Sequence, residues 1–281
     1  MWGVREYSLV ECHCDIAGCV LVSCLVGERR DNEESSPMRS VMVRFGHFLF
    51  LSRDYLFPIT FLFVLVMTRP GFLFGSERWD WVMDGVGIVI ALLGQGYRML
   101  TAGCADNIRR RGHQGHIGAE RVIRDGMFAH SRNPLYFGNV LIIVGFVVIA
   151  NNLWWYLAVL PTFVVAYFAI ILAEEEFLLQ KFGSPYADYC REVNRFLPQV
   201  RGLFQSLAQS TFDWRRAVRR EYGNICSWGA MVFVLLIWER WERFGYAARK
   251  GEIHELCGFL FVVLLVYVSL RWCKNQGLLR S

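Results

Sequence analysis

The longest apolar feature of the chain runs from Asn133 to Ala173 and holds no charged residue. One helix crosses the hydrocarbon layer of a bilayer with about 20 residues, so a stretch about twice that long has to cross and return. Asn151-Asn152 interrupts it where a tight turn is needed, which predicts an antiparallel hairpin of helices near Pro134 to Ala150 and Leu153 to Ala173. Four further apolar runs flank the hairpin: Phe48 to Met67, Trp81 to Leu100, Tyr222 to Trp238 and Leu256 to Leu270. The pattern predicts an all-α, multi-pass integral membrane protein with about six transmembrane helices. Leu203, Leu207, Trp214 and Val218 follow helical spacing beside an Arg cluster, the pattern of a helix lying in the membrane interface or of a soluble loop helix.

Composition agrees with spans joined by sizeable water-facing loops. The chain is 54% hydrophobic with a mean hydropathy of +0.30, too apolar for an ordinary soluble domain and too charged to be membrane helix throughout. Its net charge of +5 is not a nucleic-acid signal, because the Arg residues sit in blocks beside apolar runs. Arg109, Arg110, Arg111, Arg121, Arg124 and Arg132 lie in one connection. Lys181, Arg191, Arg195, Arg201, Arg215, Arg216, Arg219 and Arg220 lie in another. Both are expected on the cytoplasmic side, and six crossings put both termini there too. The connection from Glu239 to Glu255 departs from the rule, since it places Arg240, Arg243, Arg249 and Lys250 on the outer face.

Residues 1–40 read as an N-terminal extension, 41–222 as a membrane core and 223–281 as a C-terminal pair of transmembrane helices. Leu21-Val22-Ser23-Cys24 resembles a lipoprotein cleavage box, but the acidic residues before it make a poor leader, and Met38 or Met42 offers an alternative start. The nine Cys show no paired spacing, and His113 and His116 sit between glycines in a flexible loop, so no metal site is expected. Gly85, Gly87, Gly94 and Gly96 in the second span suit close helix packing.

The chemistry gathers at the two ends of the hairpin. Asn133 is a good N-cap and Pro134 a good first residue, so Arg132-Asn133-Pro134 marks a helix start that favours an anion, and Gly138 allows a close approach to the backbone. Glu174-Glu175-Glu176 follows the second apolar run and is expected to close that helix. Leu178, Leu179 and Gln180 offer no cation one turn on, so the three carboxylates need one from elsewhere. Acids at a membrane boundary are functional candidates. A tight turn brings the two ends together at one face, one favouring a carboxylate and the other an ammonium, the pair of preferences that describes an amino acid.

From Gly126 to Pro198 the chain resembles the shared core of the isoprenylcysteine carboxyl methyltransferase and phospholipid methyltransferase superfamily. The resemblance rests on Arg132, Asn133, Pro134, Tyr136 and Gly138, and then on Glu174, Glu175, Leu178, Phe182, Gly183, Tyr186, Tyr189, Val193, Arg195, Phe196 and Pro198. It implies an enzyme that transfers a methyl group from S-adenosylmethionine to a lipophilic substrate reached through the bilayer. It also implies a cytosolic cofactor-binding segment. The cofactor-binding set implied is Arg132, Asn133, Pro134, Tyr136, Gly138, Glu174, Glu175, Tyr186, Tyr189 and Arg195, with Glu174 and Glu175 as catalytic candidates. Two positions depart from the pattern. Asn133 stands where His is commoner, and Ile170 and Ile171 stand where isoprenylcysteine enzymes carry an Arg that holds the substrate carboxylate. An NADPH-dependent sterol-type reductase shares a related first element but lacks the paired Glu followed by the two Tyr. A non-catalytic lipid- or partner-binding protein of the same fold is the third reading.

Overall fold

A computed structural model describes the backbone of residues 37–70, 76–105, 110–111, 117–118 and 121–276. The N-terminal extension through residue 36, the Leu21 to Cys24 box and the His113 and His116 pair lie outside the described residues. The described helices are α1 (Pro37–Met67), α2 (Glu77–Cys104), α3 (Pro134–Ala150), α4 (Leu160–Phe182), α5 (Ser184–Glu192), α6 (Leu203–Gln209), α7 (Trp214–Phe244) and α8 (Lys250–Asn275). A 3-10 turn at Gly126–Ala129 precedes α3, and a π turn at Trp155–Val159 leads into α4. Arg110–Arg111 and Ile117–Gly118 form a two-residue antiparallel ladder between α2 and α3.

The fold is all-α and multi-pass, with four or five apolar spans among the described residues. Four helical stretches among the described residues are long and apolar enough to cross a membrane: Glu77–Cys104, Trp155–Phe182, Trp214–Phe244 and Lys250–Asn275. The two halves of α1, Met38–Arg53 and Tyr55–Met67, make a fifth only if counted together, because they meet at 84°. Pro58 has no N–H to give the carbonyl four residues back, and its ring crowds that carbonyl, so the helix breaks at residue 54. α3 has 17 residues, about 25 Å at helical rise, and is shorter than a free-standing span.

The hairpin turn falls where the sequence places it. Asn151 is left-handed at φ 44°, a region Asn enters more readily than most residues, and it ends α3. The return helix departs from expectation at its far end. It continues to Phe182 and stops at Gly183, whose φ is 59°, so Glu174 to Glu176 lie about two turns inside α4. The three carboxylates therefore do not sit at the negative end of the helix dipole. The interface helix expected from Leu203 to Val218 is two helices, broken before Trp214, where the Asp213 carboxylate accepts from the Arg216 backbone N–H at 3.1 Å and caps α7.

α2 and α3 pack most intimately, and glycine is the reason. A Cβ on Gly87 would stand 2.6 Å from the Gly145 carbonyl, and one on Gly94 would stand 2.7 Å from that of Gly138. Gly85 and Gly96 face open space. α1 lies against α4, and α7 lies against α2 and α3. Arg220 donates to the carbonyls of Ala102 (3.2 Å) and Ala105 (2.6 Å), satisfying the open end of α2 and fixing the start of α7 beside it. α8 touches chiefly α7.

The Arg residues that broke the topology rule are engaged in ion pairs. At the far end of the bundle, Arg240 meets Asp84 at 3.0 Å, Glu252 at 3.4 Å, Glu239 at 3.5 Å and Asp80 at 3.8 Å. Arg243 pairs with Asp80 and, at 2.6 Å, with Glu239, while Arg249 pairs with Glu77. The Asn151 amide donates to Asp80 at 3.1 Å. Asp80, Asp84, Glu239 and Arg240 are all buried, so this network ties α2, α7, α8 and the hairpin turn into one end.

Candidate functional site

The segment after α5 is stitched onto the segment before α3. The Arg132 N–H donates to the Asn194 carbonyl at 2.9 Å, the Ser131 hydroxyl to the Phe196 carbonyl at 2.9 Å and the Gln199 N–H to the His130 carbonyl at 2.9 Å. His130 Nδ1 lies 2.8 Å from the Gln199 carbonyl, an acceptor, so Nδ1 carries a proton, and Nε2 lies 2.9 Å from the Ser206 hydroxyl. Tyr189 donates its hydroxyl to the Phe128 carbonyl at 2.7 Å. Two blocks of sequence some 60 residues apart thereby form one wall.

Against that wall lies the acidic run of α4. Glu175 is the centre: Arg195 Nε approaches it at 3.0 Å, the Asn133 amide donates at 3.2 Å and an Arg132 nitrogen lies at 3.3 Å. The same Asn133 amide nitrogen donates to the Arg195 carbonyl at 2.9 Å, so the cap residue of α3 joins α4 to the segment beyond α5. Glu174 accepts the Tyr136 hydroxyl at 2.6 Å, and that oxygen accepts from Arg53 of α1 at 3.0 Å. Glu176 points outward to a half-exposed pair with Arg39 at 3.0 Å. The cations that the acidic run needs come from three other parts of the chain.

Arg132, Asn133, Pro134, Tyr136, Glu174 and Glu175 are all buried at this junction of the hairpin ends. Burial alone draws the Arg132 pKa down, but Glu175, with Cys190 and Tyr186 nearby, holds it above its ordinary value, so the group stays charged. Burial pushes the Cys190 thiol up, and neighbouring Arg132 opposes that shift. Tyr186 and Tyr189 are buried beside this junction. Their rings lie 5.9 Å apart and, with Arg121, Val122, Ile123, Phe128 and Leu178, line a cleft on the α5 side. Gly138 faces α2, where a Cβ would stand 2.8 Å from the Gly94 carbonyl, so the group that approaches its backbone is a neighbouring helix.

Sequence reasoning passed over His130, Arg39 and Arg53, whose partners lie far along the chain. It also passed over Arg98, Gln95 and Glu221, which form a buried polar group between α2 and α7. A charged residue inside the otherwise apolar run Trp81 to Leu100 was the available signal for Arg98, while Glu221 sits in an Arg-rich stretch ahead of the next run.

The phospholipid methyltransferase family profile matches residues 87–185, from within α2 to just past α4. The chain is 28% identical over 142 residues to the cobalt-zinc-cadmium resistance protein CzcN of Cupriavidus metallidurans, a match covering 49% of this chain and 61% of that protein. It is also 28% identical over 163 residues to the probable protein-S-isoprenylcysteine O-methyltransferases of the indica and japonica subspecies of Oryza sativa, over 54% of this chain and 80% of theirs. No solved structure matches the chain.

Proposed function

Given that the chain belongs to the membrane superfamily that contains the phospholipid and isoprenylcysteine methyltransferases, we propose that it transfers a methyl group from S-adenosylmethionine to a lipophilic acceptor. The observation that carries this reading is Glu175, buried at the junction of the hairpin ends between Arg132, Asn133 and Arg195, with Glu174 alongside.

The donor set fits the group. An amino-acid end needs a cation for its carboxylate and an anion for its ammonium, and this cluster supplies both within one buried volume. Arg132 and Arg195 would hold the carboxylate and Glu175 the ammonium. When bound, S-adenosylmethionine supplies an electrophilic methyl carried on sulfonium. The chain's residues have to orient the acceptor, keep water out and receive a proton. Glu174, reached by the Tyr136 hydroxyl, is the base that takes the proton from an amine, acid or thiol acceptor as its new bond to carbon forms.

The acceptor class is a lipid amine, an isoprenoid-type carboxylate or a thiol that enters from the bilayer. Ile170 and Ile171 are buried, so α4 offers no cation at those positions to hold a prenylcysteine carboxylate. α3 runs beside α2 from the site to the Asp80 end, and we count it with bent α1 among six crossings that leave both termini cytoplasmic. Calorimetric titration of the purified protein tests the reading. It predicts binding of S-adenosylmethionine, weakened by Glu175→Gln. Binding of NADPH instead would make the protein a reductase, and binding of neither would leave a lipid- or partner-binding module.

A further inference from the structure

The C-terminal helices α7 and α8 lie outside the matched residues 87–185, yet α7 reaches the site through one side chain of α2. Arg98 projects from α2 and its guanidinium is used on both edges. Nε and one terminal nitrogen grip the two oxygens of Glu221 on α7 at 2.7 and 2.8 Å. The other terminal nitrogen donates to Asn139 Oδ1 at 2.7 Å and to the Leu135 carbonyl at 3.2 Å, both on α3. A planar fork held this way fixes the separation of the helices it joins.

Its target on α3 is specific. Leu135 and Asn139 bracket Tyr136, the residue whose hydroxyl meets Glu174. A Cβ on Gly138 would stand 2.5 Å from the Arg98 Cγ, so the absence of a side chain at this motif glycine is what lets the Arg98 stem lie flat on the first turns of α3. Glu221 is held in its turn. Gln95 donates to it at 3.4 Å, and the Gln95 carbonyl oxygen accepts from Asn224 and from Trp228 at 2.9 Å each. Glu221 is 3% exposed, and a buried ion pair of this kind adds little net stability over apolar packing, so its value lies in fixing a geometry.

We propose that Arg98, braced by Glu221, is a positioning residue that sets the first turns of α3 and so places Tyr136 against Glu174. Helix α7 thereby belongs to the methyl-transferring unit. The proposal rests on the function proposed above, and Asn139 separates the two. Asn139→Ala removes the shorter of the two bonds by which Arg98 holds α3 and leaves the Arg98–Glu221 pair in place, whereas Asn139→Asp keeps an acceptor oxygen.

The expected result for Asn139→Ala is a fall in kcat of about tenfold or more, in line with the penalty for slight misplacement of a reacting group. KM for S-adenosylmethionine should change by less than about threefold, the mark of an interaction made in the transition state. Amide exchange should rise in the 131–139 peptide and not in α7, and Asn139→Asp should recover both rate and protection. Should Asn139→Ala aggregate, Asn139→Ser is measured in its place. The proposal is overturned if the variant keeps wild-type kcat and exchange, or if Asn139→Asp fails as fully as Asn139→Ala. A wild-type protein without methyl transfer sinks the proposed function instead, and the exchange measurement still decides whether the clamp exists.

Discussion

Replacing Arg240 with Met removes one cation from the buried network at the end of the bundle opposite the site. Arg240 is 3% exposed and lies within 4 Å of Asp80, Asp84, Glu239 and Glu252. Met fills much of the same volume, so the loss is mainly of charge, and removing one partner of a buried ion pair costs about 3–5 kcal/mol. At about 2–4 °C per kcal/mol for a chain of this size, the midpoint should fall by roughly 6–20 °C. Tryptophan fluorescence during a thermal ramp in detergent, at one fixed scan rate, reads it. Adding Asp84→Leu to Arg240→Met should recover part of the loss, because the double variant no longer strands that carboxylate. A midpoint within about 2 °C of wild type for the single variant would refute the reasoning, since losses that small belong to exposed pairs worth under about 1 kcal/mol.

Gly94→Ala should destabilise the protein by about 1–3 kcal/mol, because the new methyl meets the Gly138 carbonyl, while Gly96→Ala, facing open space, should be neutral or slightly stabilising. The same thermal ramp compares them. Tyr136→Phe removes the hydroxyl that reaches Glu174, and loss of a hydrogen bond to a charged group, about 1.5–3 kcal/mol, should lower kcat/KM by roughly 10- to 150-fold in a methyl-transfer assay. Glu175→Gln should weaken binding of S-adenosylmethionine at least about tenfold, since the substitution removes the anion that would hold the cofactor's ammonium. Unchanged titration curves would remove Glu175 from the site.

The hairpin and its turn were legible because apolar length and an Asn pair are local signals. The meeting of Asn133 with Glu175 followed from them, since two helices joined by a tight turn have to return to one face. The bend in α1 was not read, although Pro58 was in plain view, because hydropathy averages over the residue that breaks the helix. The reach of α4 past Glu176 was missed for a related reason. The end of an apolar run marks where the membrane stops, and the helix continues on its own propensity to Gly183. The network around Arg240 and the fork at Arg98 were illegible in a stronger sense. Each joins residues more than 120 positions apart, and such contacts follow from the packing of helices, not from any pattern along them.

The central claim is that the buried junction around Glu175 serves methyl transfer to a lipid, and the most direct measurement follows the methyl itself. Purified protein is incubated with S-adenosylmethionine labelled in its methyl group and with total lipid extracted from the expression host, and the products are separated by chromatography. The account predicts label in a discrete lipid species, lost when Glu175→Gln replaces the wild type. Label that never leaves the cofactor while the protein remains folded, with acceptors of the amine, carboxylate and thiol classes all supplied, would contradict it.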